Sequence, residues 1–69
     1  MAYGLQKRVQ AELDSRIPRG PRGSHQNFFR QHFSVYRLMG DSFEVSAEKA
    51  LAGVRKLDPD FTPRILPIT

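Results

Sequence analysis

The chain contains no cysteine, so no disulfide can staple it and no thiolate can serve as nucleophile or metal ligand. Histidine is nearly as scarce. His25 and His32 are the only two, and seven residues along one helix would separate them by about 10.5 Å, too far to share an ion. Long apolar runs are missing as well: nothing approaches the roughly 20 residues that a membrane-spanning helix needs. The N-terminal residues lack the apolar segment of a secretory signal. No Gly-rich phosphate loop, nucleophile elbow, EF-hand loop or Ser–His–Asp arrangement is visible. His32, framed by Phe28, Phe29, Phe33 and Tyr36, reads as a packing histidine, and Asp58 and Asp60 around Pro59 read as a helix stop and turn. The expectation is a non-catalytic protein with no metal, no cofactor and no small-molecule substrate.

Size bounds the rest. A chain of 69 residues buries only about 60% of its unfolded surface. Its apolar content of 39% is too high for a wholly disordered chain. A single small unit spanning 1–69 is therefore expected, without an independent large core, and leaning on partners rather than standing as a stable monomer.

The charge is uneven. Residues 1–40 carry seven bases against two acids, whereas residues 41–69 carry four bases against five acids. The overall charge of +4 therefore belongs to the N-terminal half, and it centres on "SRIPRGPRGSHQN", residues 15–27. Two Pro-Arg-Gly triplets stand back to back there. Proline removes backbone donors and sets φ near −65°, so this segment cannot be helix. In a polyproline-like conformation, Arg19 and Arg22 would project from one edge, roughly 9 Å apart.

Three helices flank and follow this linker, making the fold mainly α. Over residues 2–16, Leu5, Val9 and Leu13 form a narrow apolar stripe at i, i+4, i+8. Over 26–39, Phe28, Phe29, His32, Phe33, Tyr36 and Met39 give a broad aromatic face. Ser24 or Asn27 is expected to cap this helix, and Gly40 to end it. Over 42–57, "DSFE" reads as a capping box with Asp41 as N-cap and Glu44 three residues on. Phe43, Ala47, Ala50, Leu51, Val54 and Leu57 follow the helical repeat up to Asp58-Pro59. A short strand within 33–45 is the competing reading. The parts are thus an N-terminal helix (1–16), a basic linker (17–25), a helical hairpin (26–57) and an extended apolar tail (58–69).

Function follows from the pairing of basic arm and apolar tail. Lys7, Arg8, Arg16, Arg19, Arg22 and Arg30 are the candidate contacts to RNA phosphates or another anionic partner, because arginine pairs phosphate in bidentate fashion. Phe28, Phe29, Phe33, Tyr36, Phe61, Ile65, Leu66 and Ile68 are the candidate protein-interface residues. These features suit a structural accessory subunit of a large assembly. A ribonucleoprotein such as an organellar ribosome, for example in the mitochondrion, explains the basic arm most directly. The rival is an accessory subunit on the soluble side of a respiratory or photosynthetic membrane complex, where the arm would meet acidic protein or anionic lipid. A helix-turn-helix-like DNA-binding or regulatory domain is a third reading. It is disfavoured because Asp41, Glu44 and Glu48 would face the polyanion.

Overall fold

A computed structural model describes residues 2–67, with side chains from Gly4 onward. Ile68, an expected interface residue, lies outside them. The helices are α1 (Ala2–Arg16), α2 (His25–Leu38) and α3 (Phe43–Arg55), and the described residues include no strand. The competing strand reading of 33–45 is therefore set aside.

Each boundary has a local cause. The Ser24 side chain caps α2 by accepting from the Asn27 amide at 3.3 Å. At the other end Gly40 takes φ 101°, a left-handed conformation that glycine adopts without steric cost. The Gly40 amide donates to the Arg37 carbonyl and the Asp41 amide to that of Tyr36, both at 3.1 Å. This is a Schellman closure, which satisfies the last carbonyls of the helix. It also corrects the expected cap of α3. Asp41 is spent completing the previous helix, so the N-cap passes to Ser42, whose side chain accepts from the Val45 amide at 3.2 Å. Asp41 instead accepts from the Lys49 ammonium at 2.8 Å. That hydrogen bond, with the nearby carboxylate charge, raises the Lys49 pKa above its ordinary 10.5. The α3 helix then ends at Arg55, two residues short of the expected position. The Val54 carbonyl receives both the Leu57 and Asp58 amides in a tightened last turn, which leaves Leu57 64% exposed.

Helices α1 and α3 each pack along α2. The core joins Val9 and Leu13 of α1, Ile17 just beyond it, Phe29 and Phe33 of α2, and Ala50 and Val54 of α3. Phe29 and Phe33 are 0% exposed. These two were expected to meet neighbouring proteins, but their i, i+4 spacing aims both at the chain's own interior. The Phe43 ring stands edge-on to Phe33 at 5.0 Å between centroids, a favoured aromatic geometry. The radius of gyration, 11.6 Å, is close to the ~11 Å expected of a compact chain this long.

Two polar residues enter this interior, Ser46, whose hydroxyl donates to the Asp41 carbonyl at 3.4 Å, and Arg30. Arg30 is only 7% exposed. Its Nη1 donates to the Leu13 carbonyl at 3.1 Å and to the Ile17 carbonyl, while Nη2 reaches Asp14 Oδ1 at 3.3 Å. The terminal carbonyls of a helix have no partner within it; here the Ile17 amide serves Leu13 at 2.9 Å, and an arginine from α2 adds donors to Leu13 and Ile17. Nearer the other end of α2, Arg37 Nε donates to Glu12 at 2.8 Å and its Nη1 to the Asp41 carbonyl at 2.7 Å. These two arginines fix α1 against α2.

Replacing Arg30 with methionine keeps the stem but removes two charge-assisted bonds, stranding the Ile17 carbonyl while Leu13 keeps the Ile17 amide at 2.9 Å. The expected loss is about 3 kcal/mol in urea unfolding, since hydrogen bonds to charged groups contribute about 1.5–3 each. Asp14→Asn should cost less than about 1 kcal/mol, because the carboxylate is mainly exposed. Equal losses from the two variants would show that the ion pair, rather than the carbonyl cap, is what matters.

Candidate nucleic-acid interface

The proline-bearing linker is held by two amide side chains at the start of α2. Asn27 Oδ1 accepts from the Gly20 amide at 3.1 Å, and Asn27 Nδ2 donates to the Gly20 and Pro21 carbonyls at 3.4 and 2.9 Å. Gln26 Nε2 donates to the Pro18 carbonyl at 3.1 Å. The chain turns at Pro21, whose carbonyl receives the Ser24 amide at 2.9 Å. Gly20 lies so close to α2 that an added methyl would stand 2.9 Å from Gln26 Cβ and closer still to Ser24 Oγ. Prolines cannot donate, so the arm's fixed shape comes from side chains reaching back to it.

The tail is drawn to the same place. Gln26 Nε2 also donates to the Arg64 carbonyl at 2.9 Å, while its Oε1 accepts from the Arg64 amide at 3.1 Å. Two residues on, the Leu66 amide donates to the Arg16 carbonyl at 2.6 Å and the Leu66 carbonyl accepts from Arg16 Nε at 3.1 Å. Pro18 and Arg64 thus share a single carboxamide, and the tail runs beside the arm. Phe61 anchors the other end of the tail, its centroid 6.3 Å from Phe29 and 6.0 Å from the His25 ring. His25 Nδ1 lies 3.3 Å from Asp58 Oδ2, and Asp58 Oδ1 accepts from the Asp60 amide at 3.2 Å.

The expected anion-binding residues divide into two groups. Arg30 is buried under the end of α1, 7% exposed, with its guanidinium turned to the Leu13 and Ile17 carbonyls. Arg16 bonds Leu66 and lies 4.1 Å from the centroid of the Phe43 ring, a cation–π contact. By contrast, Arg8, Arg19 and Arg22 are exposed and have no side-chain partner among the described residues; Lys7 is exposed. Arg64 belongs with them and escaped the sequence reading. Its side chain is exposed and has no partner among the described residues, and the Gln26 bonds, with those between Arg16 and Leu66, place it near the arm. The signal was a glutamine and an arginine 38 residues apart, and no local pattern links them.

Beside the arm, α1 and α2 leave an open cleft of about 360 Å³. Gln10 and Leu13 line its α1 side, and Asn27, Gln31 and Ser34 its α2 side, with Arg30 at the base and Arg19 from the arm. On the opposite flank of Gln31, α2 presents Phe28, Val35 and Met39, exposed by 42%, 50% and 72%. His32 sits between them, 3.6 Å from where a Cβ on Gly53 would stand. Of the other expected interface residues, Tyr36 is half-buried with the Lys49 ammonium 5.2 Å from its ring centroid. Phe61 and Leu66 are half-buried within the chain, and Ile65 is exposed at 37%. Among the described residues no three His, Asp or Glu side chains converge to hold a metal, and no helix is long and apolar enough to cross a membrane. Comparison with protein-family models, with curated proteins and with solved structures returns no match.

Asn27→Ala removes the bonds that hold Gly20 and Pro21, leaving the Gln26 bond to Pro18 and the core untouched. The Gly20 amide should then exchange with deuterium at least tenfold faster, with a stability loss of about 1–2 kcal/mol. Gly20→Ala should destabilise by about 1–3 kcal/mol through overpacking. Unchanged Gly20 exchange in Asn27→Ala would show that the arm is ordered by something other than this amide.

Proposed function

We propose that this chain is a non-catalytic accessory subunit of a ribonucleoprotein assembly, in which the Pro-Arg-Gly arm lies on the phosphate backbone of RNA. The observation that carries the reading is a segregation of arginines. Arg16, Arg30 and Arg37 are consumed by carbonyls, carboxylates and a ring inside the fold. Arg19 and Arg22, on an arm held by Gln26 and Asn27, have guanidinium groups with no partner among the described residues, and the Arg64 backbone is brought beside them. A side-chain-braced backbone carrying outward guanidinium groups loses little conformational entropy on binding. Phosphates positioned this way give affinity without base reading.

The exposed stripe of Phe28, Val35 and Met39 on α2 is the surface that would pack on neighbouring proteins. It replaces the buried phenylalanines in that role. A sequence-specific DNA reader is disfavoured, because α3 opens with Ser42 and Glu44 and offers no cation in its first turn to a polyanion.

Single-stranded RNA binding by the purified full chain tests the reading. With four phosphate contacts, from Arg8, Arg19, Arg22 and Arg64, the log–log salt slope should be near −2.8. Affinity should then fall about 50-fold between 50 and 200 mM salt. The triple variant Arg19→Ala, Arg22→Ala, Arg64→Ala should flatten the slope to about −0.7 without lowering the melting temperature. Absence of salt-dependent RNA binding, with retention on vesicles containing anionic lipid, would transfer the arm to the surface of a membrane complex.

A further inference from the structure

We infer that the cleft between α1 and α2 receives one unpaired nucleobase of the bound RNA, with adenine the best fit; the inference rests on the RNA-binding reading above. The argument is an inventory of hydrogen-bonding groups. Arg30 turns Nη1 to the Leu13 and Ile17 carbonyls and Nη2 to Asp14. The Asn27 amide is spent on Gly20 and Pro21. Gln10 Nε2 donates to Asp14 Oδ1 at 3.0 Å, and the Ser34 hydroxyl donates to the Gln31 carbonyl at 3.0 Å.

What remains unused is specific. The Gln31 carboxamide has neither its donor nor its acceptor engaged, and Arg19 offers a free planar guanidinium. Gln10 Oε1 and Ser34 Oγ add acceptors. A carboxamide meets the N6/N7 edge of adenine with one donor and one acceptor bond. A guanidinium plane stacks on a base face, as side chains do when they read splayed-out single strands.

The charge and size agree. Asp14 sits beside Arg30 in this region, which disfavours a bare anion, and of the two lining arginines Arg19 is the exposed one. A volume of about 360 Å³ lies within the range of small-ligand sites, about 300–1,000 Å³. Arg19 also belongs to the arm, so a base in the cleft and its neighbouring phosphate on Arg22 or Arg64 are adjacent parts of one strand. A base still stacked in a duplex cannot enter.

The full chain is titrated with labelled oligoadenylate, oligouridylate and the duplex of the two, at equal length and salt. Oligoadenylate is expected to bind about tenfold more tightly than either of the others, the discrimination of one bidentate contact. Gln31→Ala, at an exposed helix position, should abolish that advantage while leaving the salt slope and the melting temperature unchanged. Arg19→Lys keeps the charge and loses the plane; it should weaken oligoadenylate binding severalfold with the salt slope retained. Equal affinity for all three RNAs, or an adenine preference that survives Gln31→Ala, overturns the cleft proposal while leaving the phosphate-binding reading intact. Loss of binding to every RNA overturns both.

Discussion

The buried guanidinium of Arg30 occupies the place where a small three-helix chain is weakest, the carbonyl end of its first helix. Those carbonyls point toward the core and away from water, and an unsatisfied one costs about as much as a lost hydrogen bond. By donating to Leu13 and Ile17, Arg30 stabilises the end of α1 and sets its distance from α2. Ile17, 0% exposed, can then sit beneath it, and the linker leaves the core in a fixed direction. The arm, the cleft and the tail's path all start from that point.

The same economy recurs at the chain's irregular segments. A linker with Pro18 and Pro21 and a tail with Pro59, Pro63 and Pro67 cannot pair into a ladder, because proline donates no hydrogen bond. Amide side chains substitute for one. Gln26 reads the Arg64 backbone as a neighbouring strand would, with one donor and one acceptor bond, and Asn27 does likewise at Gly20. Arg16 completes the set at Leu66. Two adjacent residues at the start of α2 thereby organise both segments that lack regular structure.

This arrangement sorts the charges. Guanidinium groups that face inward act as caps and clamps, and those on the arm stay exposed. The proposed RNA surface is thus a by-product of how the backbone is satisfied: the bonds that order the linker go to its carbonyls and amides, not to its arginines. The apolar stripe of Phe28, Val35 and Met39 lies on the far side of Gln31 from the cleft. Polar and apolar surfaces therefore share one helix, a geometry suited to a subunit set between nucleic acid and protein.

The three helices, the Ser24 cap and the Gly40 stop were legible in the sequence, because apolar periodicity and terminal chemistry are local properties. So was the basic segment between the first two helices. What the one-dimensional pattern could not contain was which arginines face inward. Arg30 and Arg22 look alike along the chain, yet one is buried against carbonyls 13 and 17 residues away and the other is exposed. Nor could it show that Phe29 and Phe33 fill the interior while Phe28 does not, a matter of about 100° around α2. The pairing of Gln26 with Arg64 was equally hidden. Sequence alone determined that there are three helices, roughly where they lie and which half carries the charge, because those depend on neighbours along the chain. Tertiary structure decided which arginines stay exposed, because a guanidinium is drawn inward only when a distant carbonyl or carboxylate has been brought within its reach.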